Sequence, residues 1–264
     1  MTTDDLVIAS DNVRCIVSPN VGGRMSSIIA FGRELLITKN SETNLQKWGC
    51  YPMAPWAGRV RNGIFMHQTK RHELEINMHP HAIHGTVLDR PWRVIDANSS
   101  SVAMKIDLGA NWAFAGEATQ TISMIGDTIE FRLMLETDDE TMPAQVGWHP
   151  WFARPCTLET EFTSMYLRDE FGIPTGEKIM PTAGPHDDCF SGSLHTPKLQ
   201  FDNKVRLEIQ TDCSHWVVYD EPQHAICVEP QSGPPDGFNI EPLIITPGSP
   251  LTRFMRLMIS EIKK

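Results

Sequence analysis

The sequence predicts an all-β protein, a large antiparallel β-sandwich, and three observations carry that expectation. Apolar residues recur with a period of two, and no segment repeats them at i, i+3, i+4 and i+7 over three helical turns. The 18 glycines and 19 prolines punctuate strand-like runs at a spacing of roughly ten residues. A strand turns successive side chains to opposite faces, so a sheet resting on a core on one side writes alternation into its sequence. With 264 residues, 41 % of them hydrophobic, the chain can fill such a core. No linker or low-complexity stretch divides it, so residues 1–264 are expected to form one domain.

In chain order, the first element is an exception. "SETNLQKW" (41–48) suggests one short helical turn opened by a Ser41 cap. Strands are then expected in "SVAMKIDLG", "EATQTISMI" and "DTIEFRLMLET". In the last, Ile129, Phe131, Leu133 and Leu135 alternate with Glu130, Arg132, Met134 and Glu136. Gly126-Asp127 between the second and third runs reads as a tight hairpin turn. "VRLEIQ" puts Val205, Leu207 and Ile209 on one side, and "HWVVYD" and "RFMRLMIS" complete the set.

Charge and cysteine usage narrow the partners. A net charge of −10 without any basic block disfavours nucleic acid and anionic membranes and favours a small neutral or cationic ligand. The opening "MTTDDLVIAS" lacks the basic start and apolar stretch of a secretory signal, and no apolar run approaches the ~20 residues that span a bilayer. Six scattered cysteines without a CxxC pair fit a reduced, cytoplasmic protein without disulfides, a monomer or a homodimer.

Four segments break the alternation and gather Pro, Gly, Trp and His: residues 51–63, 79–92, 147–152 and 227–239, with a shorter fifth at 184–192. They read as rigid loops that hold binding groups. Aromatic rings beside His, Arg and carboxylate suit a sugar, whose ring faces stack while its hydroxyls need donors and acceptors. His149, flanked by Trp148 and by Pro150-Trp151-Phe152, is either a loop-capping histidine or a proton-exchanging one. Glu229 follows the four-residue apolar strand 225–228, so it is expected to be at least partly buried. It is then either paired with a cation such as Arg59 or Arg61, or a site residue with a raised pKa. His79, His81 and His84 form HxHxxH, but the intervening Pro80 and the lack of a nearby carboxylate argue against a metal.

Taken together, these segments resemble the aldose 1-epimerases (galactose mutarotase-like enzymes), and more closely their shorter bacterial branch. The similarity begins with "GGRMSSIIAFGRELLI" (22–37), which looks like the family's opening pair of strands, and runs through "PWAGRVRNGIF" and "IHGTVLDRPW". "GWHPWF" and "VEPQSGPPDGFN" are its most specific motifs. The resemblance implies a β-sandwich that interconverts the α and β anomers of a free aldose with neither metal nor organic cofactor. It implies His149 as general acid, Glu229 as general base, and Arg59, His84 and Asp187 as groups that bind sugar hydroxyls. Asp188 matches as well as Asp187. Gly58-Arg59 and Gly85-Thr86 replace an Asn-Arg pair and a double glycine of the longer galactose-type members, so galactose is not assumed as the substrate.

Three other readings stay open. A sugar-phosphate mutarotase such as one acting on hexose 6-phosphates would need a cationic cluster, for which Arg59, Arg61 and Arg90 are candidates. A carbohydrate-binding protein without catalysis would use the same aromatics. A glycoside hydrolase would need two carboxylates, which Glu229 and Asp187 could supply.

Overall fold

A computed structural model describes residues 5–263. Two antiparallel sheets dominate it, one of eleven strands and one of eight. The strand expectations hold: Ser101–Asp107, Gly116–Ile125, Thr128–Thr137, Val205–Thr211, His215–Tyr219 and Leu251–Glu261 are all strands. Gly126 and Asp127 form the two-residue turn between Ile125 and Thr128, and Gly126 takes a φ of 58° there. Ile129, Phe131, Leu133 and Leu135 are fully buried, as their alternation requires.

The apolar faces of the two sheets meet in one core, which takes Ile8, Val17, Ile28 and Val228 from the larger sheet and Met104, Ile122, Phe131 and Leu257 from the smaller. Trp148 bridges them. Its ring is fully buried, lies edge-on to Phe131 at 6.5 Å, and donates its indole N–H to Gln120 Oε1 at 3.0 Å. Gln120 in turn donates to the Gly23 carbonyl at 2.8 Å.

Two expectations are corrected. Residues 41–48 form turns, not a helical turn. Ser41 Oγ donates to the Thr38 carbonyl at 2.9 Å, while Glu42 and Asn44 side chains accept backbone N–H groups of residues 44 and 46. Side chains that capture backbone donors in this way compete with the helical ladder. The α-helix among the described residues is instead Gly237–Ile240, inside the Pro/Gly segment. The second correction concerns "GWHPWF", which lies in the strand Gly147–Ala153, and residues 229–231, which continue the apolar run 225–228 in the strand Ala225–Gln231. Both faces of these strands are buried, which erases the alternation that would have marked them.

Candidate active site

Sheet register assembles the site. Tyr51 pairs with His149 across one strand boundary, and Val217 pairs with Glu229 across another. Between them, Gly147 faces Gln231 and Trp151 faces Cys227, which sets His149 opposite Glu229. Cys189 extends this row beyond Val217, and the next row runs Trp151, Cys227, Tyr219, Asp187. Side chains two apart share a face, so Glu229 and Gln231 turn one way while Ile226 and Val228 enter the core between the sheets.

A cavity of about 290 Å³ opens over these rows, a size that suits one sugar ring. Its wall includes His84, His149, Trp151, Asp187, Glu229 and Gln231, with Arg59 and Arg168 to one side. His149 Nε2 lies 3.2 Å from Glu229 Oε1, both side chains being almost wholly buried, at 7 % and 3 % exposure. Gln231 Nε2 donates to the other carboxylate oxygen, Glu229 Oε2, at 3.1 Å. His149 is sandwiched by Trp151 (5.3 Å, 7° between planes) and Tyr51 (4.9 Å), and His84 meets it edge-on at 5.0 Å.

Burial governs the electrostatics. It pulls His149 down to about 3, with the buried Arg24 guanidinium adding to the effect against an opposing backbone hydrogen bond. It pushes Glu229 well above the usual carboxylate range; the nearby Asp187 charge adds to this, and Gln231 and Arg59 oppose it. Burial, then His149 and Arg59, hold His84 well below the usual imidazole range, so it is neutral and can both donate and accept.

The Pro/Gly segment braces this arrangement, and every residue from 225 to 238 is buried. Val146 donates its N–H to Ser232 Oγ at 2.9 Å, and Gln145 Nε2 donates to the Pro234 carbonyl at 3.0 Å. The Asp236 N–H donates to the Arg59 carbonyl at 2.6 Å, and the Asp236 carboxylate accepts the Arg61 N–H at 2.9 Å. Thus the loop behind the glutamate also carries the strand of Arg59. Gly58 is required here: its φ is +70°, and a Cβ would meet Pro235 at 2.7 Å. His84 holds a left-handed backbone at φ 62°, the kind of strain that collects at working sites.

All five residues singled out in the sequence line the one cavity. Glu229 does not pair with Arg59 or Arg61: Arg59 bonds Asp187 at 3.1 Å, and Arg61 bonds Asp169 at 2.7 Å. Asp187, not Asp188, lines the cavity, while Asp188 pairs with Arg168 and His186. Arg90 lies elsewhere, on Asp107. The HxHxxH residues separate: His79 is exposed, and His81 Nδ1 accepts the Asn62 N–H at 3.1 Å. Among the described residues, His149, Cys227 and Glu229 bring one metal-ligand atom each within 4.8 Å of one another, but burial holds the Cys227 thiol protonated. Sequence reasoning named Trp151 beside His149 but missed Tyr51, Arg168, Tyr219 and Gln231 as neighbours of the site. Trp151 and Gln231 carried a signal, the period-two offset from His149 and Glu229.

Two antiparallel sheets, with a one-ring pocket on the face of the larger that points away from the core, define a β-sandwich of the galactose mutarotase-like kind. The family model for aldose 1-epimerase matches residues 4–257, and the chain belongs to that family. The Escherichia coli K12 protein YihR is 24 % identical over 270 residues, covering 90 % of this chain and 87 % of the relative. A galactose mutarotase-like protein from Clostridium acetobutylicum superposes with a TM-score of 0.87 at 17 % identity, over 97 % of this chain and 95 % of that one. Galactose 1-epimerase from Lactobacillus acidophilus NCFM superposes at 0.83 and 16 % identity, over 98 % and 95 %. At these identities the likeness to the solved structures concerns the fold.

Proposed function

We propose that the protein is an aldose 1-epimerase that interconverts the α and β anomers of a free aldose by acid/base ring opening and reclosure. The observation that carries this reading is the buried His149–Glu229 pair in the wall of a one-ring cavity. Opening a pyranose removes the proton of the C1 hydroxyl and delivers one to the ring oxygen. With substrate between them the pair's one proton passes from Glu229 to His149, and Glu229 then takes the first and His149 gives the second. The aldehyde turns about C1–C2, and on reclosure His149 accepts and Glu229 donates. The pair ends with the one proton it began with, and no covalent intermediate or cofactor is required. Arg59, neutral His84 and Asp187 supply donors and acceptors for the other hydroxyls.

The pairing of the cavity arginines favours a free sugar over a phosphorylated one: Arg168 is held by Asp188, and the other cations on the wall are Arg59 and Lys47. Of the three arginines considered for a phosphate, Arg61 and Arg90 lie off the cavity and Arg59 is paired with Asp187. A lectin-like role does not account for an imidazole and a carboxyl 3.2 Å apart in the cavity wall. The test is polarimetry on freshly dissolved α-D-glucose and α-D-galactose, with glucose 6-phosphate alongside. Catalysed anomer exchange on a free aldose is the expected result, and its absence on every aldose tried would refute the reading.

The pKa directions give the pH dependence. Activity needs one proton on the pair. A second proton must go onto His149, which burial holds down to about 3, so the acid limb lies far below the range of a free imidazole. Losing the only proton means deprotonating Glu229, which burial and Asp187 hold well above the usual carboxylate range. Hence kcat/KM should show no acid limb between about pH 5 and pH 8, where an ordinary histidine would titrate. An inflection near pH 6.5, the unperturbed imidazole value, would contradict this assignment of the pair.

A further inference from the structure

The Glu229 carboxylate has two oxygens and, among the described residues, one side-chain partner on each: His149 Nε2 at 3.2 Å on Oε1 and Gln231 Nε2 at 3.1 Å on Oε2. The first contact cannot survive catalysis. A ring that offers its C1 hydroxyl to Glu229 and its ring oxygen to His149 must part the two groups. The second contact can survive, because Gln231 sits two residues along the same strand, on the same face, with its backbone pinned between Gly147 and His215 of the flanking strands.

Gln231 also carries an anomaly. It is 0 % exposed, yet its Oε1 has no hydrogen-bond partner among the described residues. A buried acceptor left unpaired costs stability, and an apolar side chain would fill the same space without that cost. The orphan is explained by the other end of the amide. Only the NH₂ end can face an anionic oxygen, so turning it to Glu229 leaves the carbonyl end with nothing to accept.

We propose that Gln231 is the positioning residue of the proposed catalytic base, holding the Glu229 carboxylate in place at the moment substrate separates it from His149. The inference rests on the reading of the protein as an aldose 1-epimerase. An amide suits the task because it does not titrate: it remains a donor whichever way the pair's proton has moved. Its hydrogen bond also opposes the upward push of burial on Glu229.

Two variants test it by polarimetry and thermal melting. Gln231→Met keeps the length and removes the amide. It is expected to lower kcat about 100-fold through a misplaced carboxylate, with KM within about two-fold. Gln231→Glu is isosteric and can donate to Glu229 only while its own carboxyl is protonated. Its rate should therefore fall as pH rises through the titration of the new carboxyl, at lower pH than any basic limb of the wild type. A Gln231→Met enzyme with kcat within two-fold of wild type would overturn the inference, as would a flat profile for Gln231→Glu. A Gln231→Met protein that melts lower but keeps its kcat, paired with a wild-type profile for Gln231→Glu, would mark Gln231 as packing only and also overturn it. If the wild-type protein itself fails to speed anomer exchange, the function is at fault and not the role of Gln231.

Discussion

Replacing Glu229 with glutamine, or His149 with asparagine, is expected to slow catalysed anomer exchange by about 10²–10⁴-fold each, the usual contribution of one proton-transfer group. Glutamine has the shape of the acid it replaces and still offers an oxygen to Gln231 Nε2, so the site keeps its geometry while losing the base. Asparagine removes the imidazole that carries the second proton. The folded state should tolerate both, since each variant puts a neutral polar group where burial already disfavours charge. Because the two groups pass one proton through one cycle, the double variant should be little slower than the worse single one. Polarimetry on fresh α-D-glucose or α-D-galactose reads the rates, and circular dichroism confirms the fold. Near wild-type exchange in both single variants would remove these residues from the mechanism.

The sheets were legible because their strands alternate. Thr128–Thr137 buries Ile129, Phe131, Leu133 and Leu135 and turns Glu130 and Arg132 outward, so its sequence and its environment carry the same period. The strands that hold the chemistry do not. Ala225–Gln231 is buried on both faces, so its apolar run reads as strand only as far as Val228, and Glu-Pro-Gln looks like the loop that follows. The residues of the site were found by type and motif, while the arrangement that unites them was hidden. His149 and Glu229 are 80 positions apart, 229 less 149, and meet because Gly147 faces Gln231 and Trp151 faces Cys227 across adjacent strands. Arg168 carried no signal at all. It reaches the cavity from a strand of ordinary composition, Phe162–Arg168, and only the fold brings it to Asp187.

Trp148 shows how sharply one strand can divide structure from chemistry, and it yields the largest stability effect expected. The residue beside His149 points the opposite way, into the core between the sheets, where it is fully buried. Trp148→Ala should destabilise the protein by about 3–5 kcal/mol through the cavity it leaves. That is a large share of the ~5–15 kcal/mol that holds a typical domain together. Trp148→Phe keeps most of the ring but removes the indole donor, leaving Gln120 Oε1 buried without its 3.0 Å partner. That variant should lose about 1–3 kcal/mol. Urea denaturation measures both, with the slope m unchanged if only the native packing is affected. The informative comparison is catalytic. Below its melting range, Trp148→Phe should keep kcat/KM within a few-fold of wild type, because His149 is fixed by Tyr51 and Trp151 on the other face. A stable Trp148→Phe protein with a hundred-fold loss of activity would mean that the core face sets the imidazole's position, and the division of labour along this strand would not hold.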